Sequence, residues 1–315
     1  MTDNYILGAG PAGLIAAYYM PDHKVIDEKP LGQLNIPFIP GPRLLQWNPL
    51  MEEFVREVLP DSEIQIEICC IGYNVDGEVV DSPSKEFRNK YAKKTRDTDK
   101  SESSFLSEGM TEIKHIEIDG LGEDSYKFFF TELLNIIKDR DQLINTSVKS
   151  FNPFTRHIEF TDGSKRQAYN HIVSTLNLNI LYKLNETVDI EDIPFDLSTS
   201  KKCFYKTEYS DSLEDMSHKM NHPSLYFDYV YSVDTKWTRQ TFFREYIVYE
   251  SVEPITDDYI EGNKVLMKFE NLPIQIKESQ NIEATDNIEL LGRFAQWSHK
   301  MKANEVLDRV KEWIN

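Results

Sequence analysis

The sequence predicts an α/β chain of about two domains, one of them built on a β-α-β unit with a glycine-rich first turn. Three observations predict it. A strand-like run, Tyr5 to Leu7, meets a glycine turn, Gly8 to Gly13, that opens a helical stretch. Helical periodicity returns at Asp124 to Lys138, between stretches with strand-type alternation. The 315 residues, 40% hydrophobic and 12% aromatic, can bury a sizeable core, which excludes a disordered, collagenous or disulfide-scaffold chain.

In order, Tyr5, Ile6 and Leu7 form the first strand, and the helix after the glycine turn runs through Tyr19 and stops before Pro21. Lys24 to Asp27 is the second strand. Residues 29–43 carry Gly32, Pro37, Pro40, Gly41 and Pro42, a density of fixed φ and missing amide hydrogens that only loop and turn tolerate. Pro49 to Val58 has the opening and spacing of a helix. Glu63 to Val80 is β-rich, with Val75-Asp76-Gly77-Glu78 as a hairpin turn. Residues 83–112 are polar and poorly periodic. The helix at Asp124 to Lys138 rests on Phe128, Phe129, Leu133, Leu134 and Ile137, and a meander follows from Val148 to Leu176, turning at Asn152-Pro153 and Asp162-Gly163. Residues 186–222 are mixed and acidic, and 224–250 read as aromatic-rich strands. The sequence closes on an apolar run, Ile288 to Leu291, a glycine, and a helix from Asn304 to Ile314.

Acidic residues outnumber basic ones by 53 to 35, a formal charge of −18 that disfavours nucleic acid and leaves a small molecule as the expected partner. Cys69, Cys70 and Cys203 cannot frame a disulfide scaffold, and the adjacent pair lacks the spacer of a zinc or redox pair, which fits a reducing, cytoplasmic setting. Tyr5 to Met20 contains three glycines and a proline and has no basic region before it, so neither a secretion signal nor a membrane span is expected. His218 and His222 are followed at once by Pro223 and have no third ligand near, so no metal site is expected; His299 is the one histidine close to a candidate site segment. Neither a Walker-type phosphate loop nor a Gly-x-Ser-x-Gly elbow is present.

Gly8-Ala9-Gly10-Pro11-Ala12-Gly13 lies between strand and helix, and Asp27 follows Gly8 by 19 residues; both features match the dinucleotide fingerprint. The glycines let a pyrophosphate approach the backbone, and the helix N-terminus offers free amides and its positive dipole end. A carboxylate after the second strand can bind the adenosine ribose, a role for which Asp27 and Glu28 compete. The fingerprint alone does not separate a nicotinamide from a flavin dinucleotide.

Two further segments do. Asp27-Glu28-Lys29-Pro30-Leu31-Gly32-Gln33 resembles the acid-plus-glycine segment after the second strand in the FAD family of protoporphyrinogen oxidases, amine oxidases and UDP-galactopyranose mutases, with Gln33 where that motif has its second glycine. Leu291-Gly292-Arg293-Phe294-Ala295-Gln296-Trp297, with the helix behind it, resembles the Gly-Arg-x-x-x-aromatic segment that completes the flavin site in those proteins. The resemblance implies an FAD-binding, Rossmann-like domain of the glutathione-reductase type with an inserted α+β substrate domain. Residues 1–70, 140–185 and 265–315 then make the FAD domain, and residues 71–139 and 186–264 the substrate domain.

It implies cofactor contacts from Gly8, Gly10, Pro11, Ala12, Gly13, Asp27, Glu28 and Gln33 at one end, and from Gly292, Arg293, Lys302 and Ala303 at the other. Arg293 would pair with the pyrophosphate or ribitol, and the last helix would aim its amides at the flavin O2 edge. The relatives' acidic triplet at that helix start is Met301-Lys302-Ala303 here, which brings the Lys302 cation towards the flavin. Val148 resembles the position whose backbone meets adenine, and His171-Ile172-Val173-Ser174-Thr175 the strand that returns beneath the ADP moiety.

Gly41-Pro42-Arg43-Leu44-Leu45-Gln46 resembles the segment running under the flavin, where mutases carry Gly-x-His-x-x-His; Arg43 and Gln46 stand for the histidines, which favours an oxidase over a mutase. Arg43 and Lys302 are the candidate catalytic groups beside the flavin. Gln46, Tyr231, Trp237, Arg239 and Trp297 are the candidates for substrate contact, the middle three from an aromatic sheet, Tyr226 to Tyr249, that resembles the roof of the family's substrate cavity. The implied reaction is oxidation of an amine or related small molecule by hydride transfer to the flavin. The alternatives are a flavin sugar-nucleotide mutase, a flavin enzyme acting on an amine carried by a nucleotide or nucleic acid, and a dinucleotide-binding module without turnover. The nucleic-acid alternative rests on Lys85, Arg88, Lys90, Lys93, Lys94 and Arg96, the one basic stretch, whose plainer role is a solvated charged face.

Overall fold

The computed structural model describes residues 3–35, 44–96, 112–163, 167–187, 199–208, 227–242, 246–255, 264–275, 287–292, 295–296 and 302–314. In chain order its first half holds β1 (Asp3–Leu7), α1 (Pro11–Tyr19), β2 (His23–Ile26), α2 (Pro49–Val58), β3 (Ile64–Val75), β4 (Glu78–Val80), α3 (Lys85–Arg96), β5 (Glu112–Ile118) and α4 (Ser125–Asp139). There follow β6 (Leu143–Ile144), β7 (Val148–Asn152), β8 (His157–Phe160), β9 (Gln167–Ser174), α5 (Leu178–Leu184), β10 (Thr199–Glu208), β11 (Phe227–Ser232), β12 (Trp237–Phe242), β13 (Tyr246–Ser251), β14 (Val265–Gln275), β15 (Ile288–Leu290) and α6 (Ala303–Ile314).

Each element has a local cause. Pro11 opens α1, where its missing amide hydrogen costs nothing, and Pro49 opens α2, whose Asn48 cap accepts the Met51 N–H at 2.6 Å. Asp76 (φ 53°) and Gly77 (φ 88°) make the two-residue turn between β3 and β4 left-handed at both positions, as the right-handed twist of a hairpin requires. Within the stretch 83–112 the described residues hold a helix the sequence did not announce, because α3 buries only a short apolar seam, Phe87, Tyr91 and Ala92. In β5 the alternation slips at His115-Ile116, which hides the strand from a period-two reading.

Two sheets result. In the first, β6, β2, β1, β9 and β15 run parallel, and β8 and β7 continue antiparallel from the beginning of β9. Alternation along β1 sends Ile6 to one face and Tyr5 and Leu7 to the other. The Ile6 face is covered by α1, α2, α4 and α6 through Leu14, Phe54, Phe129, Leu133, Leu307 and Val310. The opposite face is covered by the meander and α5 through Phe151, Ile158, Phe160 and Leu181. The second sheet is mixed, in the order β14-β10-β13-β12-β11-β3-β4, with β5 also on β3. Ile116 and Ile118 of β5 reach into the helical core of the first sheet, so the two sheets share packing there. Among the described residues no helix is long and apolar enough to cross a membrane.

Candidate functional site

The chain turns from β1 into α1 through three glycines with separate tasks. Gly8, at φ 98°, occupies a conformation that L side chains rarely adopt. Gly13 packs so tightly that a Cβ there would lie 1.9 Å from the Gly8 carbonyl oxygen, whereas a Cβ on Gly10 would meet nothing within 4 Å. The open space at Gly10 borders the N-terminus of a nine-residue helix whose first amides have no intrahelical partner. Thr175, after β9, donates its hydroxyl to the Leu7 carbonyl at 2.9 Å and fixes the floor of the turn.

Beside the turn, the Asp27 carboxylate accepts the Ala9 N–H at 2.7 Å with one oxygen and the Lys29 N–H at 2.7 Å with the other. Asp27 therefore shapes the loop, and Glu28, its side chain 55% exposed, extends towards solvent beside it. Leu31 donates to the Ala9 carbonyl at 3.0 Å, so the segment after β2 folds back over the glycine turn. Gln33 sits in the short 3-10 turn Gly32–Asn35, and its side chain lies outside the described residues. Val148 opens β7, half-buried against the meander core.

The far end of the sequence meets the near end here. Gly292, at φ 90°, approaches so closely that a Cβ on it would lie 2.8 Å from the Ala12 Cβ. Leu291 donates to Ser174 at 2.9 Å, and Gln296 turns back on Leu290 and Gly292. Helix α6 packs along α1 with Lys311, near its C-terminus, 4.1 Å over the Tyr19 ring, so the two helices run in the same direction. Both N-termini then lie at the edge where β1 and β9 end. Lys302 caps α6, its N–H held by the Glu305 carboxylate at 2.9 Å, and Ala303 follows in the first turn. Among the described residues the buried Asn304 Oδ1 has no donor.

The second sheet gathers some of the substrate candidates and separates others. Gln46 is half-buried and bridges to His115 of β5. Tyr231 is buried against Tyr73 and Tyr91, and burial drives its phenol well above the ordinary range. Arg239 lies directly across from Tyr231 and forms a 2.5 Å ion pair with Glu250. Trp237 packs in a different cluster, with Tyr249 and Ile255, because the register slips between Trp237 and Arg239. Arg43, Arg293 and Trp297, like His218, His222 and His299, lie outside the described residues.

The basic stretch forms α3 and is partly spent within the fold. Lys94 donates to the Ser232, Thr235 and Trp237 carbonyls at 3.2, 2.5 and 2.9 Å, and burial lowers its pKa to about 8. Lys90 pairs with Glu86 at 3.1 Å. Among the described residues no group of three His, Cys, Asp or Glu could hold a metal ion.

Several polar residues of consequence escaped the sequence reading. Gln142 donates to the Ala17, Met20 and His23 carbonyls at 3.1, 3.2 and 3.1 Å, closing the end of α1 against β2. His23 and His171 face each other at 3.1 Å, with Asp22 at 2.9 Å from His23, at the sheet edge opposite the glycine turn. No motif marks either. The hold of Glu305 on the Lys302 N–H is equally unmarked, since a capping box carries Ser or Thr where Lys302 stands.

No protein-family model matches the chain, and no curated protein matches it. Solved structures do. A reduced UDP-galactopyranose mutase aligns over 100% of this chain and 95% of its own with a TM-score of 0.68 at 11% identity. Cyclohexylamine oxidase from Brevibacterium oxydans aligns over 99% and 98% with a TM-score of 0.65 at 9% identity. Putrescine oxidase, solved with putrescine, aligns over 99% of each chain with a TM-score of 0.61 at 8% identity. At such identities the likeness establishes the fold: over nearly its full length, this chain folds as those proteins do.

Proposed function

We propose that this chain is a flavoprotein that binds FAD where α1 and α6 begin and uses it to oxidise an amine or a related small molecule. The observation that carries the reading is the contact of Gly292 with Ala12, which adds a second helix N-terminus to the glycine turn. A lone glycine turn suits any dinucleotide. Two helix N-termini on one edge suit a cofactor with a pyrophosphate and, beyond it, a ring that gains negative charge on reduction.

The residues fit such a group. Gly10 leaves room where a pyrophosphate must approach, Gly13 leaves none, and Asn304 keeps a buried acceptor at the start of α6. The first amides of α1 would hold the pyrophosphate, and Glu28, with Asp27 bracing the loop, the ribose. The Val148 backbone would meet adenine, and Arg293, Lys302 and Ala303 the flavin end. When bound, FAD supplies the hydride acceptor. The chain binds and orients it.

Arg239 favours the oxidase over a sugar-nucleotide mutase. A diphosphate sugar calls for uncommitted arginines, and Arg239 is neutralised by Glu250 in the sheet. The tie of Lys94 to three carbonyls likewise weakens α3 as a nucleic-acid face. The test is the visible absorption spectrum of the purified protein, with the released cofactor identified after denaturation. Stoichiometric FAD, followed by its bleaching with an amine under anaerobic conditions, is the expected result. A protein that stays colourless after incubation with FAD refutes the reading, and turnover of a uridine diphosphate sugar only after pre-reduction replaces the oxidase by the mutase.

A further inference from the structure

We propose that Asn145 is a positioning residue of the cofactor site: it holds the backbone on both sides of Glu28 so that the Glu28 carboxylate meets the adenosine ribose, a proposal that rests on the FAD reading above. Asn145 owes its place to strand register. β6 pairs with β2 through Leu143 with Val25 and Ile144 with Ile26, and one step further along the same parallel register sets Asn145 beside Asp27. Asp27 extends the pairing there by donating its N–H to the Ile144 carbonyl at 3.2 Å. The Asp27 and Glu28 carbonyls then assign the orientation of the Asn145 amide, whose nitrogen donates to Glu28 at 3.2 Å and to Asp27 at 3.3 Å.

Those two carbonyls belong to the two peptide planes that flank the Glu28 Cα, so one side chain restrains both φ and ψ of Glu28. The second plane is held from its other edge as well, because the Asp27 carboxylate accepts the Lys29 N–H at 2.7 Å while its other oxygen takes the Ala9 N–H. The direction in which Glu28 leaves the chain is thereby tied to the glycine turn on one side and to the β6–β7 connection on the other. That connection is itself anchored. Thr146 donates its N–H to Ile144 at 3.0 Å, and the Ser147 carbonyl accepts both the N–H and the hydroxyl of Thr161, at 2.9 and 3.2 Å. The Glu28 side chain stays half-exposed, its carboxylate 3.8 Å from a Lys29 ammonium that is 83% exposed, a tie of little strength. A carboxylate presented from a fixed backbone loses little freedom when it accepts hydrogen bonds from a sugar, and that advantage disappears once the backbone is loosened. The connection ends at Val148, so the same short segment spaces the ribose acid from the strand proposed to meet adenine.

The test is titration of the apo-protein, followed by flavin fluorescence, with FAD and with the FAD analogue whose adenosine lacks the 2′-hydroxyl that such an acid binds. It is run on the wild type, Asn145→Ala and Asn145→Leu. The leucine keeps about the size of the side chain and removes its donor without adding charge, and either variant suffices should the other not fold. The wild type is expected to bind FAD about 10-fold more tightly than the analogue. Both variants should lose most of that preference, with FAD about 5- to 10-fold weaker and the analogue within about 2-fold of its wild-type affinity. In a Glu28→Gln background, Asn145→Ala should change FAD affinity by less than about 2-fold, because the carboxylate it positions is gone. Equal weakening of FAD and analogue marks a merely structural role for Asn145 and overturns the proposal. So does a wild type without the preference, a preference unchanged in the variants, or a full effect of Asn145→Ala in the Glu28→Gln background. Each of these leaves the FAD reading standing. A wild type that takes up no FAD overturns that reading, and the proposal with it.

Discussion

Replacing Gly10 by valine should empty the cofactor site without unfolding the protein. Gly10 sits at φ −77° and ψ 179°, extended backbone that any residue adopts, and a Cβ there meets nothing within 4 Å. The stiffer chain loses less entropy on folding, worth about 0.4–1 kcal/mol. A weaker helix cap costs up to about 1 kcal/mol, so the net is close to zero. The valine methyls, however, fill the one space by which a pyrophosphate can reach the turn. A loss of about 100-fold or more in FAD affinity is expected, about 2.8 kcal/mol. Gly13→Ala is the control with the opposite profile. Its Cβ would lie 1.9 Å from the Gly8 carbonyl oxygen, a backbone atom held between β1 and α1, so the fold itself should weaken by about 1–3 kcal/mol or more. The assay is the FAD-to-protein absorbance ratio beside the melting temperature of the apo-proteins. Undiminished FAD in Gly10→Val, or a fall in its melting temperature matching that of Gly13→Ala, would refute the assignment of these two glycines.

Other perturbations test the remaining features. Burial and the adjacent His23 hold His171 below its ordinary pKa, so the unfolded chain takes up a proton below about pH 6.5 that the folded one refuses. Stability should therefore fall with pH below that point, and urea midpoints at pH 5.5 and 7.5 should converge in His171→Gln. Lys94, lowered to about 8, acts in the same sense at higher pH: the folded chain gives up its proton before the unfolded one, so stability should rise from pH 8 towards about 10.5. Lys94→Met should remove that rise and cost about 1–3 kcal/mol at neutral pH, because three carbonyls lose their donor. Arg239→Met should destabilise the second sheet by about 3–5 kcal/mol by stranding Glu250, as denaturant unfolding would report. A variant that keeps its stability while its substrate affinity drops would return Arg239 to the substrate.

The parallel sheet was legible because its signals are local. A strand, a glycine turn and a helix follow one another within twenty residues, and the capped helix at Pro49 to Val58 and the hairpin at Asp76-Gly77 follow the same rule. The meeting of Gly292 with Ala12 could be anticipated from resemblance, since no spacing rule links residues so far apart. What stayed hidden is polar chemistry decided by partners. Asp27 and Glu28 are adjacent acids, and only the amides of Ala9 and Lys29 assign one to the loop. Arg239 reads as an available cation until the strand register brings Glu250 beside it.

The contact between Ala12 and Gly292 also sets a clock. A ribosome adding roughly 5–20 residues per second needs some tens of seconds to travel from one position to the other. Throughout that interval β9 lacks its outer neighbour β15, and α1 lacks the helix that packs along it. The glycine turn must therefore persist as an unfinished surface, with apolar side chains of α1 and an open strand edge exposed to chaperones or to other nascent chains. Completion of the turn's surroundings waits on synthesis of Gly292 and the helix behind it, so a chain stalled before Gly292 would carry the glycine fingerprint without the second helix end beside it.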